Sequence, residues 1–482
     1  MTRQRPDQQL HDRKSANAGE EIMNLQTTVN SMEARDINYV LHCHTNHVKH
    51  KEVGPTIIVR GEGVFVYDND GNRFIEGMSG MWSAGLGFSE KRLADAAMRQ
   101  YNILPFYHTF WHRSTPPTID LAEKLIEMAP VPMSKAFFNA SGSEAIDTVI
   151  KLLWHRSNAM GEPKRKKILS RKRAYHGATI ATNNLTGLDG NHLGHDLLMP
   201  VVRLSCPHFY SEGLPGETEE EFATRLAVEM EETILAEGPE TICCFIAEPV
   251  NGGGGVIVPP ATYWEKIQAV LKKYDILFVV DEVICGFGRT GKMFGTQTFN
   301  LEPDVLVYSK QLTSSYIPFA AFLFNDKVMG PIYDASEKYG GMWHGFTTCG
   351  HPVACAVALE TIRIIEEEEL PDNAAAMGER LRAGFRKYLN HPLVGEVRGV
   401  GLLAGVELVL DKEKKTALGT VGDLGAMMAD RMQANGVITR PTYDAVLFSP
   451  PMIIKAEEVD MIVDAFGKSL DEVLQQVKQL KA

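Results

Sequence analysis

The amino-acid sequence predicts an α/β fold, in which a large domain carries a mostly parallel sheet flanked by helices and a smaller α+β domain is made from both chain ends. Three observations predict it. From about residue 120 to 330, short apolar runs bounded by turn residues alternate with longer stretches of helical period. Strand candidates and an amphipathic helix follow near the C-terminus. The 482 residues are also enough for two or three domains.

The elements can be placed in order along the chain. Residues 57–74, with an Asp-Asn-Asp-Gly turn at 68–71, predict a β-hairpin of the smaller domain. Apolar runs typical of strands buried on both faces predict the central sheet, at residues 136–139, 167–170, 241–247, 276–280, 305–308 and 320–324. Apolar residues at helical spacing among many acids predict an amphipathic surface helix at 222–234.

The C-terminal part completes the smaller domain. Strand candidates at 401–408 and 445–448 precede apolar residues spaced three or four apart over 459–480, which predict a long amphipathic helix. The acidic run at 366–369 is expected to be a solvated helix end. Residues 1–22 are polar and lack the apolar stretch of a signal peptide, so we expect a disordered arm. The predicted organisation is an arm at 1–22, small-domain segments at 23–90 and 351–482, and a large domain at 91–350.

Composition narrows the function classes. The formal net charge of −12, from 49 Lys and Arg against 61 Asp and Glu, predicts neither nucleic acid nor an anionic membrane as a partner. The longest apolar runs fall far short of the ~20 residues of a spanning helix. Seven cysteines, an odd number without a C-x-x-C pair, are typical of a reducing compartment. We therefore expect a cytoplasmic protein.

A first chemical motif lies at the end of the strand at 136–139. The tight turn Ser141-Gly142-Ser143 follows it and opens a segment of helical period. Free backbone N–H groups and the positive end of the helix dipole make such a turn a phosphate site. The same pattern alone also fits an ordinary capped helix N-terminus.

Two further motifs end neighbouring apolar strands. Asp281 follows the run at 276–280, and Lys310 follows the run at 305–308. Ligands of open α/β sheets bind at the carboxyl ends of strands, where a buried lysine is disfavoured unless it is paired or reactive. A Schiff base with a carbonyl is its evident use. A phosphate cradle, a carboxylate for a pyridinium nitrogen and a Schiff-base lysine together predict pyridoxal 5'-phosphate (PLP) as the cofactor.

The sequence also resembles a known family, the class III (ω-type) PLP-dependent aminotransferases of fold type I. The resemblance covers roughly residues 35–475. The matching segments, in family order, are GMWS at 80, LPFY at 104, SGSEA at 141, AYHG at 174, EPV at 248, DEVICGFGRTG at 281, SKQLTS at 309, HGFT at 344 and GHP at 350.

The resemblance implies roles around the cofactor ring. Lys310 is expected to form the Schiff base and to shuttle a proton, and Asp281 to keep the ring nitrogen protonated. Tyr175 and Val283 would lie on the two ring faces. The segment that carries Tyr175 also contributes His176 to the cofactor site, and Glu248 would lie near the ring hydroxyl.

The same resemblance implies how phosphate and substrate are held. Phosphate would be bound by the Ser141–Ser143 turn and by Thr347 of the neighbouring subunit, which implies an obligate homodimer or a dimer of dimers. Arg440 matches an arginine that pairs with a substrate carboxylate and moves away for an apolar amine. The residues expected to line the substrate entrance are Met81, Trp82, Phe110, Trp111 and Tyr175.

Some positions depart from the family pattern. Ala140 and Ile146 stand where members usually carry asparagine, which changes polar contacts near the phosphate. The segment His42-Cys43-His44, with His47 and His50 after it, invites a metal interpretation. Three residues in immediate succession do not easily converge on one tetrahedral ion, so we predict no metal and place this segment on a pocket or interface loop.

The predicted activity is transfer of an amino group from a primary amine or ω-amino acid to a keto acid such as pyruvate. Two alternatives stay open. The same fold supports decarboxylation or amino-group migration, depending on which bond to the substrate Cα stands perpendicular to the ring. A non-catalytic dimeric scaffold is the other, and the presence of Lys310, Asp281 and Tyr175 together argues against it.

Overall fold

The computed structural model describes residues 30–481, and the predicted arm at 1–22 lies outside them. The strands, in chain order, are β1 (Ile58–Glu62), β2 (Phe65–Asp68), β3 (Arg73–Glu76), β4 (Lys135–Asn139), β5 (Lys167–Arg171), β6 (Val201–Leu204), β7 (Ile242–Ala247), β8 (Leu277–Asp281), β9 (Val305–Tyr308), β10 (Ala320–Phe324), β11 (Val394–Val400), β12 (Leu403–Leu408), β13 (Val437–Ile438), β14 (Arg440–Thr442) and β15 (Ala445–Phe448).

The helices connect and cover these strands. In chain order they are α1 (Met32–Tyr39), α2 (His47–Val53), α3 (Ser79–Trp82), α4 (Lys91–Ile103), α5 (Pro116–Met128), α6 (Gly142–Ala159), α7 (Ile180–Leu185), α8 (Phe209–Glu212), α9 (Glu219–Glu237), α10 (Tyr263–Lys273), α11 (Gly295–Thr298), α12 (Asp326–Tyr339), α13 (Pro352–Glu367), α14 (Leu370–Arg386), α15 (Asp423–Ala434) and α16 (Ala456–Lys481). None of those described has the length and apolar content that crossing a membrane would require.

A seven-stranded sheet in the order β4-β10-β9-β8-β7-β5-β6 forms the framework of the site. The pairs from β9 through β6 are parallel, and only β10 runs antiparallel to its neighbours β9 and β4. Every residue of β7, β8, β9 and β10 is buried, as expected for strands covered on both faces. The prediction of a mostly parallel sheet is confirmed.

Helices cover this sheet on both faces because successive strand residues point in opposite directions. Phe278 and Val280 belong to one apolar core, to which α9, α10 and α13 also contribute. Leu277 and Val279 belong to a second core, shared with α6 and α12. The sheet is therefore the middle layer of three, and its strand ends are the places where polar groups can gather.

A second sheet, β11-β12-β15-β14, is antiparallel throughout and packs with α14 and α16. Phe385, Phe448 and Phe466 form an aromatic cluster between these elements, with ring centroids 4.6 to 6.1 Å apart. β3 and β13 pair in parallel, Ile75 opposite Val437, so segments from both ends of the chain meet. The predicted C-terminal helix is confirmed as α16.

Contacts divide the chain into two units. Among the described residues, the smaller unit comprises 30–60 and 67–72, and the larger unit comprises 61–66 and 73–481. The predicted hairpin at 57–74 is confirmed at its turn around 68–71, which joins β2 to β3, but the segment also contains β1 and a further turn before β2. The turn at 68–71 is fixed by Asp68, whose Oδ1 accepts hydrogen bonds from the backbone N–H groups of Asp70 and Asn72.

Candidate active site

A cavity of about 170 Å³ opens at the carboxyl ends of β8 and β9. This is the edge at which open α/β sheets bind ligands. Every residue predicted to bind the cofactor lines it, except Thr347. The full lining consists of Ser141, Gly142, Ser143, Ile146, Tyr175, His176, Gly177, Glu248, Asp281, Val283, Ile284, Ser309 and Lys310.

Lys310 begins the turn that follows β9. Its backbone φ is +45°, in the left-handed region, and it opens a short 3₁₀ turn over Lys310–Thr313. Burial lowers the pKa of its amine to about 8, although the charges of Asp281 and Glu248 act in the opposite direction. A substantial fraction of the amine is therefore neutral near pH 8, which is the form that attacks a carbonyl.

Asp281 ends β8 and is held through both carboxylate oxygens. Its Oδ2 lies 2.8 Å from Nδ1 of His176, and its Oδ1 accepts a hydrogen bond of 3.1 Å from the backbone N–H of Val283. His176 is buried, and its Nε2 has no hydrogen-bond partner among the described residues. This pair presents an oriented carboxylate to the cavity, suited to a cationic ring nitrogen.

Glu248 follows β7 and lines the same cavity. Its carboxylate accepts hydrogen bonds of 3.0 Å from the backbone N–H groups of Tyr175 and Gly252. Burial raises its pKa above the usual range. Arg171 donates to the carbonyl oxygen of Glu248, which fixes its backbone as well. Glu248 therefore sets the position of Tyr175 at the cavity wall.

The Ser141–Ser143 turn ends β4 and begins α6. Ser141 caps the helix, since its Oγ accepts a hydrogen bond of 3.2 Å from the backbone N–H of Glu144. A Cβ at Gly142 would lie 3.3 Å from a methyl group of Val283, so any side chain there would intrude on the cavity. The first backbone N–H groups of α6 have no partner within the helix and favour an anion.

These residues fit PLP. The cavity offers a buried amine with a lowered pKa, a carboxylate backed by an imidazole, and a helix start that a glycine keeps open. Lys310, Asp281 and the Ser141–Ser143 turn would hold its carbonyl carbon, ring nitrogen and phosphate, respectively. Ile146 places an apolar side chain in the lining at the position noted as a departure from the family.

Arg440 lies on β14 and approaches the same region. It is half-buried, and its Nη1 donates to Sδ of Met81 at 3.2 Å. Its positive charge acts on both Tyr175 and Lys310, which line the cavity. Burial lowers the pKa of its guanidinium. Within residues 30–481 this guanidinium has no carboxylate partner.

Of the other predicted substrate residues, Tyr175 lines the cavity, whereas Met81, Trp82, Phe110 and Trp111 lie outside its lining. Trp82 is buried in an apolar cluster with Met78, Val250 and Ile284, so it packs behind a cavity residue instead of facing the cavity. Trp111 is 71% exposed.

Phe110, Trp111 and Thr347 belong to one surface region. The ring of Phe110 packs against the segment that carries Thr347, since a Cβ at Gly345 would lie 2.7 Å from it. Thr347 itself is exposed. Thr347 therefore does not line the cavity of its own chain.

Four lining residues were absent from the predicted site: Ile146, which was noted only as a departure from the family pattern, and Gly177, Ile284 and Ser309. Each directly adjoins a predicted residue or motif, so proximity in sequence could have found them. Ser309 is fixed by a hydrogen bond of 2.8 Å from its Oγ to the carbonyl oxygen of Phe319.

The chain matches the class-III aminotransferase family over residues 47–470. A mitochondrial γ-aminobutyrate transaminase of Solanum lycopersicum is 47% identical over 433 residues, which are 89% of this chain and 84% of that protein. A vanillin aminotransferase of Capsicum chinense is 44% identical, over 89% of this chain and 94% of that protein.

Solved structures agree with this assignment. A thermostable ω-transaminase mutant from Pseudomonas jessenii has 57% identity and a TM-score of 0.92, covering 93% of this chain and 99% of its own. The PMP-bound aminotransferase of Vibrio fluvialis has 39% identity and a TM-score of 0.91, covering 93% and 100%. These similarities confirm the predicted fold type I architecture. The chain belongs to the class-III aminotransferase family and is a PLP-dependent transaminase of amino compounds.

Proposed function

We propose that the enzyme transfers an amino group from a primary amine or ω-amino acid to a keto acid such as pyruvate. In this proposal, Arg440 binds the carboxylate of the substrate. One observation carries the proposal: Arg440 lies beside the cavity, close to Tyr175, and is paired with the thioether of Met81 instead of with an acid. A guanidinium without an anionic partner is available to a substrate carboxylate.

The relatives support this choice of substrates. They are named γ-aminobutyrate transaminase and vanillin aminotransferase, one with an ω-amino acid in its name and one with an aromatic aldehyde. A P. jessenii variant 57% identical to this chain is described as engineered for bulky amines. A pocket that accepts both acidic and aromatic partners needs a carboxylate-binding group that can withdraw, and the uncharged contact with Met81 leaves Arg440 free to do so.

PLP, when bound, supplies an electron sink for the bond that breaks at the substrate Cα. The residues of this chain position the cofactor and move the proton. Asp281, oriented by His176, stabilises positive charge on the ring nitrogen. The Lys310 amine, with its pKa lowered by burial, would take a proton from the substrate Cα and deliver it to C4′ of the cofactor. Tyr175, fixed by Glu248, would cover one ring face and Val283 the other.

We also propose a homodimer in which Thr347 completes the partner's phosphate site. Thr347 is exposed and outside its own cavity, and two large apolar side chains of the same surface region are exposed as well. They are Trp111 at 71% and Trp343 at 78%. Exposed apolar side chains of this size are typical of protein interfaces.

A cytoplasmic location is proposed for a separate reason. All seven cysteines are unpaired, which suits a reducing compartment. Fractionation of the native host would test the location directly, with recovery in an organelle fraction as the contrary result.

A donor and acceptor panel tests the proposed substrates. γ-Aminobutyrate, a simple arylalkyl amine and the amine corresponding to vanillin would each be assayed with pyruvate and with 2-oxoglutarate. Amino transfer from at least one donor to pyruvate is expected. Release of carbon dioxide, or migration of the amino group within one molecule, would instead favour the decarboxylase or aminomutase alternative. Complete inactivity with bound PLP would favour a scaffold.

A further inference from the structure

A cluster of metal-ligating side chains lies in the smaller unit. Asp36 is on α1, His42 follows that helix, and His50 is on α2. Nε2 of His42 lies 2.7 Å from Oδ1 of Asp36, and Nε2 of His50 lies 3.2 Å from the same oxygen. Three side chains from three successive segments therefore meet at one point.

The geometry suits a single small cation. One ligand atom from each of the three residues lies within 4.8 Å of the others, and the imidazole rings are 4.3 Å apart. A tetrahedral Zn²⁺ with ligand bonds of about 2.0–2.2 Å holds its ligand atoms roughly 3.3 Å apart. Small side-chain shifts would therefore be enough for all three to bind one ion.

The three side chains of the cluster are partly or largely shielded from solvent. The side chain of His50 is 10% exposed and that of Asp36 is 16% exposed, while His42 is 29% exposed. Two ligands are thus shielded and the third borders solvent, which leaves room for a water molecule as fourth ligand. Two neutral imidazoles with one carboxylate keep a single negative charge, a donor set favoured by divalent first-row transition metals.

We propose that Asp36, His42 and His50 form a binding site for a divalent transition metal ion, Zn²⁺ in the first place, that ties α1 to α2. None of the three residues lines the PLP cavity. The sequence argument against a metal rested on the immediate succession His42-Cys43-His44, of which only His42 belongs to this cluster. The proposal therefore departs from the prediction of no metal, because it combines His42 and His50 with an aspartate that the sequence argument did not consider.

A second group of histidine and glutamate side chains is a weaker candidate for a metal site. His208, Glu396 and Glu407 also lie together, but Nη1 of Arg398 is 2.7 Å from a carboxylate oxygen of each glutamate. An arginine already neutralises that group, so a metal ion would have to compete with a buried guanidinium.

The test is Zn²⁺ titration of the untagged, metal-stripped holoenzyme in competition with a chromogenic chelator. One ion per chain is expected. Asp36→Asn, His50→Gln and His42→Gln should each weaken binding at least 10-fold, since each removes one of three ligands. His47→Gln and Cys43→Ser are matched controls, exposed and outside the cluster, and should bind as the parent does.

Co²⁺ provides a second readout that does not depend on activity. The parent and both controls should show the intense visible bands of low-coordinate Co²⁺ with nitrogen and oxygen ligands, and the three cluster variants should lose them. His42 lies in a partly exposed loop, so His42→Gln keeps the test valid if a helix variant fails to fold. Absence of stoichiometric Zn²⁺ binding by the parent, or equal affinity in all variants, would overturn the proposal, as would loss confined to Cys43→Ser.

Discussion

Nδ1 of His176 and Oδ2 of Asp281 are 2.8 Å apart, and their side chains are 0% and 3% exposed. A carboxylate so deeply buried is costly unless its charge is compensated. The imidazole and the backbone N–H of Val283 orient it, and one direction remains toward the cavity. The residues that hold Asp281 in the protein therefore also keep it in the orientation that the proposed contact with the ring nitrogen requires.

Asp281→Asn should slow catalysis without releasing the cofactor. The amide keeps the shape of the side chain but loses the charge that stabilises a protonated ring nitrogen. We expect kcat to fall by about 100- to 1000-fold, the range typical of removing one electrostatic contact to developing charge. Absorbance of bound PLP and steady-state kinetics measure the two effects.

Glu282→Gln is the matched control for Asp281→Asn. Glu282 is the next residue and equally buried, but it accepts from Gly295 and Thr296 and does not line the cavity. Its substitution should leave kcat within a few-fold of the parent. Similar losses in both variants would show that burial of charge, and not contact with the cofactor, explains the effect.

Capture of PLP by the apoenzyme should depend on pH through Lys310. Its folded pKa of about 8 is below the usual value for lysine, so the reactive neutral amine becomes dominant above that pH. The rate of covalent capture should rise up to about pH 8 and then level off. Stopped-flow absorbance after mixing apoenzyme with PLP measures it.

The same shift affects stability in a defined direction. Between pH of about 8 and the ordinary lysine pKa of about 10.4, the unfolded chain holds a proton that the folded Lys310 lacks. This group therefore makes apoenzyme stability rise with pH in that window. A rate of PLP capture that still rises well above pH 9 would show that the pKa of Lys310 is not lowered, and it would contradict both of these predictions.

Strongly apolar strands were predictable from the sequence because burial on both faces leaves a continuous hydrophobic run. The strands at 305–308 and 320–324 have the predicted bounds. β6 was missed because it is short, contains Arg203, and is only half-buried over most of its length. The motifs at the strand ends likewise predicted which side chains meet at the cavity.

Side-chain direction in irregular segments was not predictable. Ser79, Gly80 and Trp82 have φ values of 49°, 65° and 66°, and this run of left-handed conformations turns Trp82 into an apolar cluster. The cluster of Asp36 and His50 joins residues 14 positions apart on two helices. Neither a run of positive φ nor the approach of two helices leaves a periodic signal in sequence.

Arg440→Ala should separate the two half-reactions. A keto acid brings a carboxylate that loses its partner, at a cost of about 2–3 kcal/mol, or roughly 30- to 150-fold in kcat/KM. An arylalkyl amine has no carboxylate, so its half-reaction should change little. Single-turnover measurements on each half-reaction make the comparison.

The control for Arg440→Ala is Arg380→Ala, which removes an exposed arginine paired with Asp460 on the surface. It should alter neither half-reaction. Equal losses in both half-reactions of Arg440→Ala, with PLP still bound, would mean that another residue reads the carboxylate.

Mixed dimers should reveal whether Thr347 acts on the partner's site. In a hybrid of one Lys310→Ala chain and one Thr347→Ala chain, action across the interface leaves one site with both residues intact. That site should bind PLP with parental affinity, whereas the Thr347→Ala homodimer should bind about 10-fold more weakly, as expected for loss of one hydrogen bond to a charged group.

A hybrid of Lys310→Ala and Ser143→Ala chains is the matched comparison. Ser143 lines the cavity of its own chain, so no site in this hybrid is intact and parental affinity should not return. If the Thr347 hybrid also failed to recover, Thr347 would act within its own chain, and parental affinity in the Thr347→Ala homodimer would show that Thr347 does not act on PLP binding at all.

Reduction of the holoenzyme with borohydride, followed by peptide mapping, identifies the lysine that carries PLP. Borohydride fixes the cofactor to the lysine that carries it. We expect a yellow protein with one PLP per chain, fixed to Lys310, and a folded Lys310→Ala variant that neither fixes PLP nor transaminates. Cofactor fixed to another lysine, or transamination by Lys310→Ala, would contradict it.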